Sequence, residues 1–253
     1  MMVRAAVLIL ALLGGCGMAR ADGLVVSVSQ AQVHITSGFT GADLVVFGVM
    51  DPQDAAGGSP DVVVTVRGPG QTFTTWRKTR VLGLWMNADS RTFLDVPSFL
   101  DILTSRPPEE MAEPASLQRG QIGLGRILLK QRIGDDHADV VSADPFRAAF
   151  LRIQQAQGLY RENTCGVTFI APHVFRAEVA IPGTAPLGRY QVEVQLLRGG
   201  RPVASATTSF DVQKTGVEQS IAEFSQRNGL LYGLAVAMGS LMLGGVASIL
   251  FRR

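Results

Sequence analysis

A run of 23 residues without a charged side chain, positions 229–251, constrains the fold more than any other part of the chain. A helix rises about 1.5 Å per residue, so this run is long enough to cross the roughly 30 Å of hydrocarbon in a bilayer. Tyr232 lies near its start as an interfacial anchor, and Arg252 and Arg253 follow its end. Cytoplasmic flanks of membrane helices are enriched in Lys and Arg. The sequence therefore predicts a single-pass membrane protein with residues 252–253 in the cytoplasm and the preceding chain outside.

The first 21 residues have the pattern of a secretory signal peptide. Arg4 forms a charged n-region, positions 5–13 form an apolar h-region, and Ala19-Arg20-Ala21 forms a small-residue cleavage site. We expect cleavage after Ala21. The alternative is processing as a lipoprotein. The sequence around Cys16 approximates a lipoprotein box, and such processing would place a lipid on that cysteine. A retained N-terminal membrane helix is disfavoured because the apolar run is too short to cross a bilayer.

Small residues recur every fourth position in the C-terminal apolar run, at Ser240, Gly244 and Ser248. Small side chains on one face allow two membrane helices to approach closely. The pattern predicts a helix-packing face and a homo-oligomer formed through the transmembrane helix. The alternative is ordinary membrane-helix composition, in which glycine and alanine are frequent.

Two stretches of the chain, before residue 97 and after residue 166, alternate β-branched or aromatic residues with polar ones, which is typical of strands. Clusters of Gly, Pro, Asp and Ser separate the alternating segments and predict turns. The predicted strands are 24–29, 33–36, 44–50, 62–67, 72–77, 81–86, 92–96, 167–170, 175–181, 189–197 and 202–212.

Tyr190 opens a predicted strand directly after a Pro/Gly-rich turn at 182–188. Immunoglobulin-like sandwiches use a tyrosine in this place to fix a corner through its hydroxyl group. We therefore predict one mainly β domain, residues 22–214, that folds as an immunoglobulin-like β-sandwich and carries a helical insertion at about 97–164. Residues 215–228 then form a juxtamembrane segment. Two separate β-domains remain the alternative, although four short late strands make a thin core.

The insertion contains two predicted helices. Positions 97–103 suit a short one, and Asp144 with Pro145 supplies an N-cap and a first-turn proline for a second helix of about four turns. The spacing of four large residues predicts the packed face of that second helix: Phe146, Phe150, Ile153 and Tyr160. Three arginines are expected to point away from this face: Arg147, Arg152 and Arg161.

Charge and motif content exclude several classes of function. Four of the 23 basic residues lie in the terminal segments (Arg4, Arg20, Arg252 and Arg253), which leaves 19 basic against 21 acidic residues between them. No basic surface for nucleic acid is therefore expected. The chain also has no Ser-His-Asp order, nucleophile elbow, Walker loop or HExxH motif. We predict no catalytic residue and no cofactor.

Cys165 is the single cysteine that remains after cleavage at Ala21, so no internal disulfide is expected. We expect it to be a small buried hydrophobe; the alternatives are a reactive thiol, a metal ligand or an intermolecular link. A copper site would need a nearby methionine beside Cys165 and His173, but the next methionine is Met238. No metal site is predicted.

Both tryptophans and four cations lie in one short segment, residues 76–91. Converging cations with an aromatic anchor would suit an anion or the acidic surface of a partner. The alternative is a hairpin whose cations face solvent. The candidate partner or anion site consists of Trp76, Arg77, Lys78, Arg80, Trp85 and Arg91.

Several short motifs together resemble a family of transmembrane proteins of alphaproteobacteria. They are Val33-His34-Ile35-Thr36, Phe47-Gly48, Trp76-Arg77-Lys78, Trp85-Met86-Asn87, Phe146-Arg147 and Gly158-Leu159-Tyr160, with the terminal span. The resemblance implies a single-pass protein of the inner membrane of a Gram-negative bacterium, with most of the chain in the periplasm. It also implies an association with sulfite-exporter-type permeases. It supplies no catalytic residues.

The sequence therefore favours a non-enzymatic accessory or binding subunit that is tethered to the inner membrane beside another membrane protein. Two other classes stay open. One is a periplasmic envelope enzyme or redox protein that uses Cys165. The other is a small-anion sensor that uses the cations around Arg77.

Overall fold

The computed structural model describes residues 23–35, 40–51, 60–133, 136–139, 143–214 and 225–250. At positions 81, 133, 136–139, 235, 246 and 248–250 the description covers the backbone alone. The predicted signal peptide with Cys16, the juxtamembrane residues 215–224 and the terminal arginines lie outside these ranges.

The described chain is mainly β, with several sheets, as the alternating sequence predicts. Its strands are β1 Leu24–Val28, β2 Gln32–Ile35, β3 Gly41–Met50, β4 Asp61–Arg67, β5 Gly70–Val81, β6 Leu84–Pro97, β7 Leu100–Thr104, β8 Lys130–Ile133, β9 Asp136–Asp139, β10 Tyr160–Thr164, β11 Val167–Ala171, β12 Val174–Pro182, β13 Gly188–Arg198 and β14 Arg201–Lys214. Its helices are α1 Pro108–Met111, α2 Pro114–Arg119, α3 Pro145–Ala156 and α4 Gly229–Leu250, with a 3-10 turn at Leu124–Arg126.

Strands from the early and late parts of the described chain pair with each other in two sheets. One sheet has the order β1-β3-β12-β11, and the other has the order β10-β7-β4-β13-β14-β2. Early strand β3 pairs antiparallel with late strand β12, and β4 pairs antiparallel with β13. Two pairs are parallel, β10 with β7 and β14 with β2. The early and late strands therefore belong to the same sheets.

The inward faces of these two sheets contribute to one hydrophobic core. Alternation in β13 buries Tyr190, Val192 and Val194 completely, because successive side chains of a strand point to opposite faces. Gly48 in β3 lies opposite Phe175 in β12, and a Cβ at Gly48 would come within 2.1 Å of the phenyl ring. The absence of a side chain at Gly48 thus gives space to a fully buried aromatic ring.

The tyrosine corner expected at Tyr190 is present. The Tyr190 hydroxyl donates a hydrogen bond of 2.7 Å to the carbonyl oxygen of Pro186, four residues upstream. The ring stacks on Phe210, with centroids 5.1 Å apart, and it also contacts Phe99. This hydrogen bond fixes the turn that precedes β13.

The third sheet is built on a long hairpin and has the order β5-β6-β8-β9. We expected three strands between residues 72 and 96, but β5 and β6 are continuous and are joined at Leu82 and Gly83. The polar residues around Ala88 do not form a turn, because a register shift in the ladder accommodates one extra residue there.

The predicted helix at 97–103 is wrong, because Leu100–Thr104 is β7 and all five of its residues are buried. It pairs with β4 on one side and with β10 on the other. A strand covered on both faces lacks polar alternation, so a short apolar run of this kind resembles a helix in sequence. Burial on both faces is therefore the reason for the wrong prediction.

The N-cap prediction at Asp144 is confirmed, since its Oδ1 accepts hydrogen bonds from the backbone of Phe146 and Arg147. The helix it starts, α3, has 12 residues, about three turns. Phe146 and Phe150 are buried as expected, but Ile153 is 45% exposed and Tyr160 lies in β10. Arg147, expected to point away from this packed face, does not reach solvent. It is buried, and its guanidinium donates to the carbonyl oxygens of Gly125 and Ile127.

Helix α4 forms within the C-terminal apolar run. In the ranges that the structure describes, no helix combines the length and hydropathy that crossing a bilayer requires.

Candidate functional site

The base of the β5–β6 hairpin is held by α3 through aromatic packing. The Phe150 ring lies 5.4 Å from that of Phe73 in β5 and 5.2 Å from that of Phe93 in β6. Tyr160 meets Phe150 edge to face at 5.7 Å, and its hydroxyl donates to the carbonyl oxygen of Pro97 at 2.5 Å. Both strands of the hairpin are thereby fixed to the helix and to β10.

Two of the predicted site residues, Arg77 and Arg91, complete this attachment. Their guanidinium carbons lie 5.5 and 5.3 Å from the centroid of the Phe146 ring. Arg77 also forms an ion pair with Asp89 on the facing strand, and Arg91 pairs with Asp144 at 3.4 Å. Asp144 therefore both caps α3 and binds the hairpin. These contacts give Arg77 and Arg91 structural partners within the protein.

A cavity of 240 Å³ lies beside this attachment, between β5 and α3. Its walls consist of Thr75, Trp76, Arg77, Lys78, Pro145, Phe146, Ala149 and Arg152. Trp76 is 55% exposed, and Lys78 and Arg152 are exposed as well. Among the residues that the structure describes, Lys78 and Arg152 form no ion pair. The cavity thus combines an apolar floor with two cations whose charge is not neutralised by a described neighbour.

Beyond the attachment, the hairpin tip is apolar and exposed. Leu82 is 100% exposed, Leu84 69%, Trp85 70% and Met86 53%. Arg80 faces Trp85 across the ladder, and its Nε donates to the carbonyl oxygen of Gly83 in the turn. Sequence analysis identified Trp85 and Arg80 but missed the three aliphatic side chains. Apolar residues on both sides of Gly83 were the sequence signal that could have indicated an apolar tip.

The six predicted site residues therefore separate into two groups. Trp76, Arg77 and Lys78 line the cavity, and Arg91 lies on the ring of Phe146 at its edge. Trp85 lies in the tip, residues 81–86, and Arg80 pairs with it across the ladder. The structure brings the tryptophans onto one hairpin without placing all four cations around a single point.

A second polar feature, absent from the sequence predictions, is the buried carboxyl group of Asp101 in β7. Its Oδ2 accepts from Arg161 at 3.2 Å, and its Oδ1 has no hydrogen-bond partner among the described residues. Burial raises the pKa of Asp101 to about 6, while the positive charge of Arg161 opposes that increase. The pair borders a 440 Å³ cavity that also includes Glu162 and Glu178.

Cys165 is exposed, so the prediction that it is buried is wrong. It lies in the short turn between β10 and β11, and its φ of 71° is in the left-handed region. A turn residue at the sheet edge has no neighbouring strand to cover it. His34 and His173 are also exposed. In the described ranges, no group of three His, Cys, Asp or Glu side chains is placed to hold a metal ion.

The predicted helix-packing residues lie on α4. The Ser240 hydroxyl donates to the carbonyl oxygen of Val236 on the same helix, at 2.9 Å. A Cβ at Gly244 would meet no described atom within 4 Å, so this position is open to a neighbour. The side chain of Ser248 lies outside the described residues.

The fold and the hairpin define a β-rich domain with a protruding ribbon, followed by an apolar C-terminal helix. The chain belongs to the family described as putative transmembrane protein, which matches residues 23–253. This match confirms the resemblance to the alphaproteobacterial family. Among curated proteins, none is significantly similar to the chain.

Proposed function

We propose that this protein is a non-enzymatic accessory protein that binds a larger protein of the inner membrane. In this proposal the β-domain is exported to the periplasm, α4 anchors it, and the cavity between β5 and α3 receives an acidic segment of the partner. The resemblance to the alphaproteobacterial family makes a sulfite-exporter-type transporter the partner class of choice. The observation that carries the proposal is the charge of that cavity.

The cavity favours an acidic partner because its exposed cations are not neutralised by described neighbours. Lys78 and Arg152 lie at its walls beside the half-exposed ring of Trp76. Tryptophan and arginine are enriched in the residues that dominate binding energy at protein interfaces. A carboxylate near Lys78 and Arg152, beside an apolar side chain on Phe146, matches the charge and the apolar wall of the cavity.

The strand order supports an immunoglobulin-like domain. The order β1-β3-β12-β11 corresponds to strands A, B, E and D of that fold, and β14-β13-β4-β7 corresponds to G, F, C and C′. The hydrogen bond from Tyr190 to Pro186 corresponds to the tyrosine corner. Fold alone does not define function, so this correspondence supports an interaction role only together with the cavity.

The membrane anchor is supported by the family and by the sequence of the C-terminal run. Residues 229–251 contain no charged side chain, and Arg252 and Arg253 follow them. The described side chains of α4 are largely exposed, with Leu230 at 93% and Leu241 at 77%. Apolar side chains with such exposure are stabilised by burial in lipid.

The two other classes of function depend on other observations. An anion sensor would have to use Lys78 and Arg152, because Arg77 and Arg91 are engaged by Asp89 and Asp144. A redox enzyme needs a reaction partner for Cys165, and no described side chain forms a metal or thiol site with it.

Charge reversal at the cavity tests this proposal. We expect Lys78→Glu with Arg152→Glu to reduce recovery of the partner at least tenfold after crosslinking in native membranes, because two attractions become repulsions. The melting temperature should stay unchanged, since both side chains are exposed.

The matched control reverses two exposed cations elsewhere, Lys130 and Arg201, which changes the net charge by the same amount. Recovery of the partner should then equal that of the wild type. Equal recovery for both double variants would show that the cavity is not the binding site.

A further inference from the structure

We infer that the tip of the β5–β6 hairpin, residues 81–86, inserts into the surface of the lipid bilayer that anchors the chain. This inference rests on the proposed membrane anchor. It identifies lipid as the binding partner of the tip. It is carried by the exposed apolar tip, its backbone conformation, and the place where the hairpin leaves the sandwich.

The turn at the tip contains a leucine, Leu82, that folding alone does not explain. Leu82 and Gly83 have φ values of 49° and 85°, so both residues of the two-residue turn are left-handed. Such turns strongly prefer Asn-Gly or Gly-Gly, because a branched or bulky residue is strained there. Leu82 is nevertheless present, and it is fully exposed. A leucine that is both strained and exposed gains stability only from a contact outside the folded domain.

Side chains along the tip follow the order expected of an element that enters a bilayer interface. Leu82 lies at the apex, Leu84 follows, and Trp85 with Arg80 forms the next level of the ladder. Lys78 lies further from the apex. Tryptophan favours the boundary between hydrocarbon and headgroups, and the cations of Lys and Arg favour lipid phosphates. The tip therefore presents apolar, interfacial and cationic groups at successive depths.

The hairpin begins at the end of the sandwich from which the chain continues to α4. Arg67 at the end of β4 aligns with Gln191 of β13, which pairs in turn with Ser209 near the end of β14. A Cβ at Gly188 would lie 3.1 Å from Pro69, directly before β5, and Gly188 pairs with Val212. The base of the hairpin and the exit of β14 are thus neighbours.

The dimensions allow the tip to reach the bilayer. The 12 residues of β5 extend over about 40 Å at the rise of a strand. Residues 215–224, between Lys214 and the described residues that lead into α4, span at most about 35 Å. The segment between β14 and α4 is therefore short enough for the hairpin to extend from the end of the sandwich to the bilayer.

The two tryptophans of the chain provide the test, because each can be made the sole reporter. The full chain is reconstituted in vesicles of phosphatidylcholine with 30 mol% phosphatidylglycerol, with or without bromine on the acyl chains. In Trp76→Phe, Trp85 is the single tryptophan, and with excitation selective for tryptophan we expect brominated lipid to reduce its emission at least twofold. In the matched control Trp85→Phe, the emission of Trp76 should change by less than a tenth.

Adding Leu82→Asp and Leu84→Asp to Trp76→Phe should remove the quenching of Trp85, because charged groups resist entry into hydrocarbon. Unquenched Trp85 emission in the Trp76→Phe chain overturns the inference. If that emission is blue-shifted, the tip is buried against protein; if it is water-like, the tip is free. Extraction by alkaline carbonate separates the two proposals, since a chain that stays in the vesicles with unquenched Trp85 is anchored without tip insertion.

Discussion

Asp101 shows how one buried carboxyl group makes stability depend on pH. The residue is 3% exposed and has a single described partner, Arg161. Its pKa is raised from 3.8 to about 6 because burial disfavours the charged form. Between these values the folded chain holds a proton that the unfolded chain has released. The contribution of Asp101 to stability is therefore greatest below pH 4 and is lost as the pH rises through 6.

We expect Asp101→Asn to remove this pH dependence, because the amide does not ionise. A shift of about two pKa units corresponds to about 3 kcal/mol, so the loss of stability between pH 4 and pH 7 should shrink by about that amount relative to the wild type. Urea unfolding at a series of pH values measures it. Asp43→Asn, which changes an exposed carboxyl group, is the control variant. Parallel profiles for Asp101→Asn and the wild type would contradict the assignment.

Residue-scale features were predictable from sequence where a local rule applies. The cap at Asp144 and the corner at Tyr190 depend on a few neighbouring residues and are confirmed. The burial of Arg147 and the exposure of Cys165 depend on parts of the chain that are distant in sequence; the first was not predicted, and the second was predicted incorrectly. A guanidinium is stable in the interior only because the carbonyl oxygens of Gly125 and Ile127 accept its hydrogen bonds. No local pattern encodes those partners.

At the scale of elements, the hairpin depends on α3 for its support. Phe150 is 2% exposed and contacts aromatic rings from β5, β6 and β10. We expect Phe150→Ala to lower the free energy of unfolding by about 3–5 kcal/mol, because it leaves a cavity among these rings. Urea unfolding of the purified chain in detergent measures the change.

Ile153→Ala is the matched control on the same helix, because Ile153 is 45% exposed. Its effect should stay within about 0.5 kcal/mol, as for most surface substitutions. If the two variants lose similar stability, the helix is not held through Phe150, and the hairpin needs another support.

Sequence alternation predicted those strands of the two large sheets that have one buried and one exposed face. In β12, for example, Phe175, Ala177, Val179 and Ile181 alternate with less buried residues. The rule failed for β7, which is buried on both faces, and for the hairpin, whose two strands lie partly in solvent. Hairpin residues 78–80 and 87–91 are polar or small. They form strands because they pair with each other across the hairpin, and not because one of their faces is buried.

At the scale of the whole molecule, the pairing of early with late strands brings the two ends of the β-rich domain into the same sheets. Strand β14 lies between β13 and β2 in the six-stranded sheet and is also the last described strand before the C-terminal helix. The end of β14 therefore determines which side of the domain is tethered, and the β5–β6 hairpin begins at that same end. The fold and the segment between β14 and α4 together orient the cavity and the hairpin tip relative to the membrane in which α4 is proposed to lie.

The proposed topology requires opposite locations for residue 216 and Arg253. Arg252 and Arg253 favour the cytoplasm, because positively charged flanks are retained there. We expect alkaline phosphatase fused after residue 216 to be active, since it folds only in the periplasm, and fused after Arg253 to be inactive. A fluorescent protein that matures only in the cytoplasm is the matched control and should give the reverse pattern. Activity of the phosphatase at Arg253 alone would invert the topology and place the cavity and the hairpin tip on the cytoplasmic side.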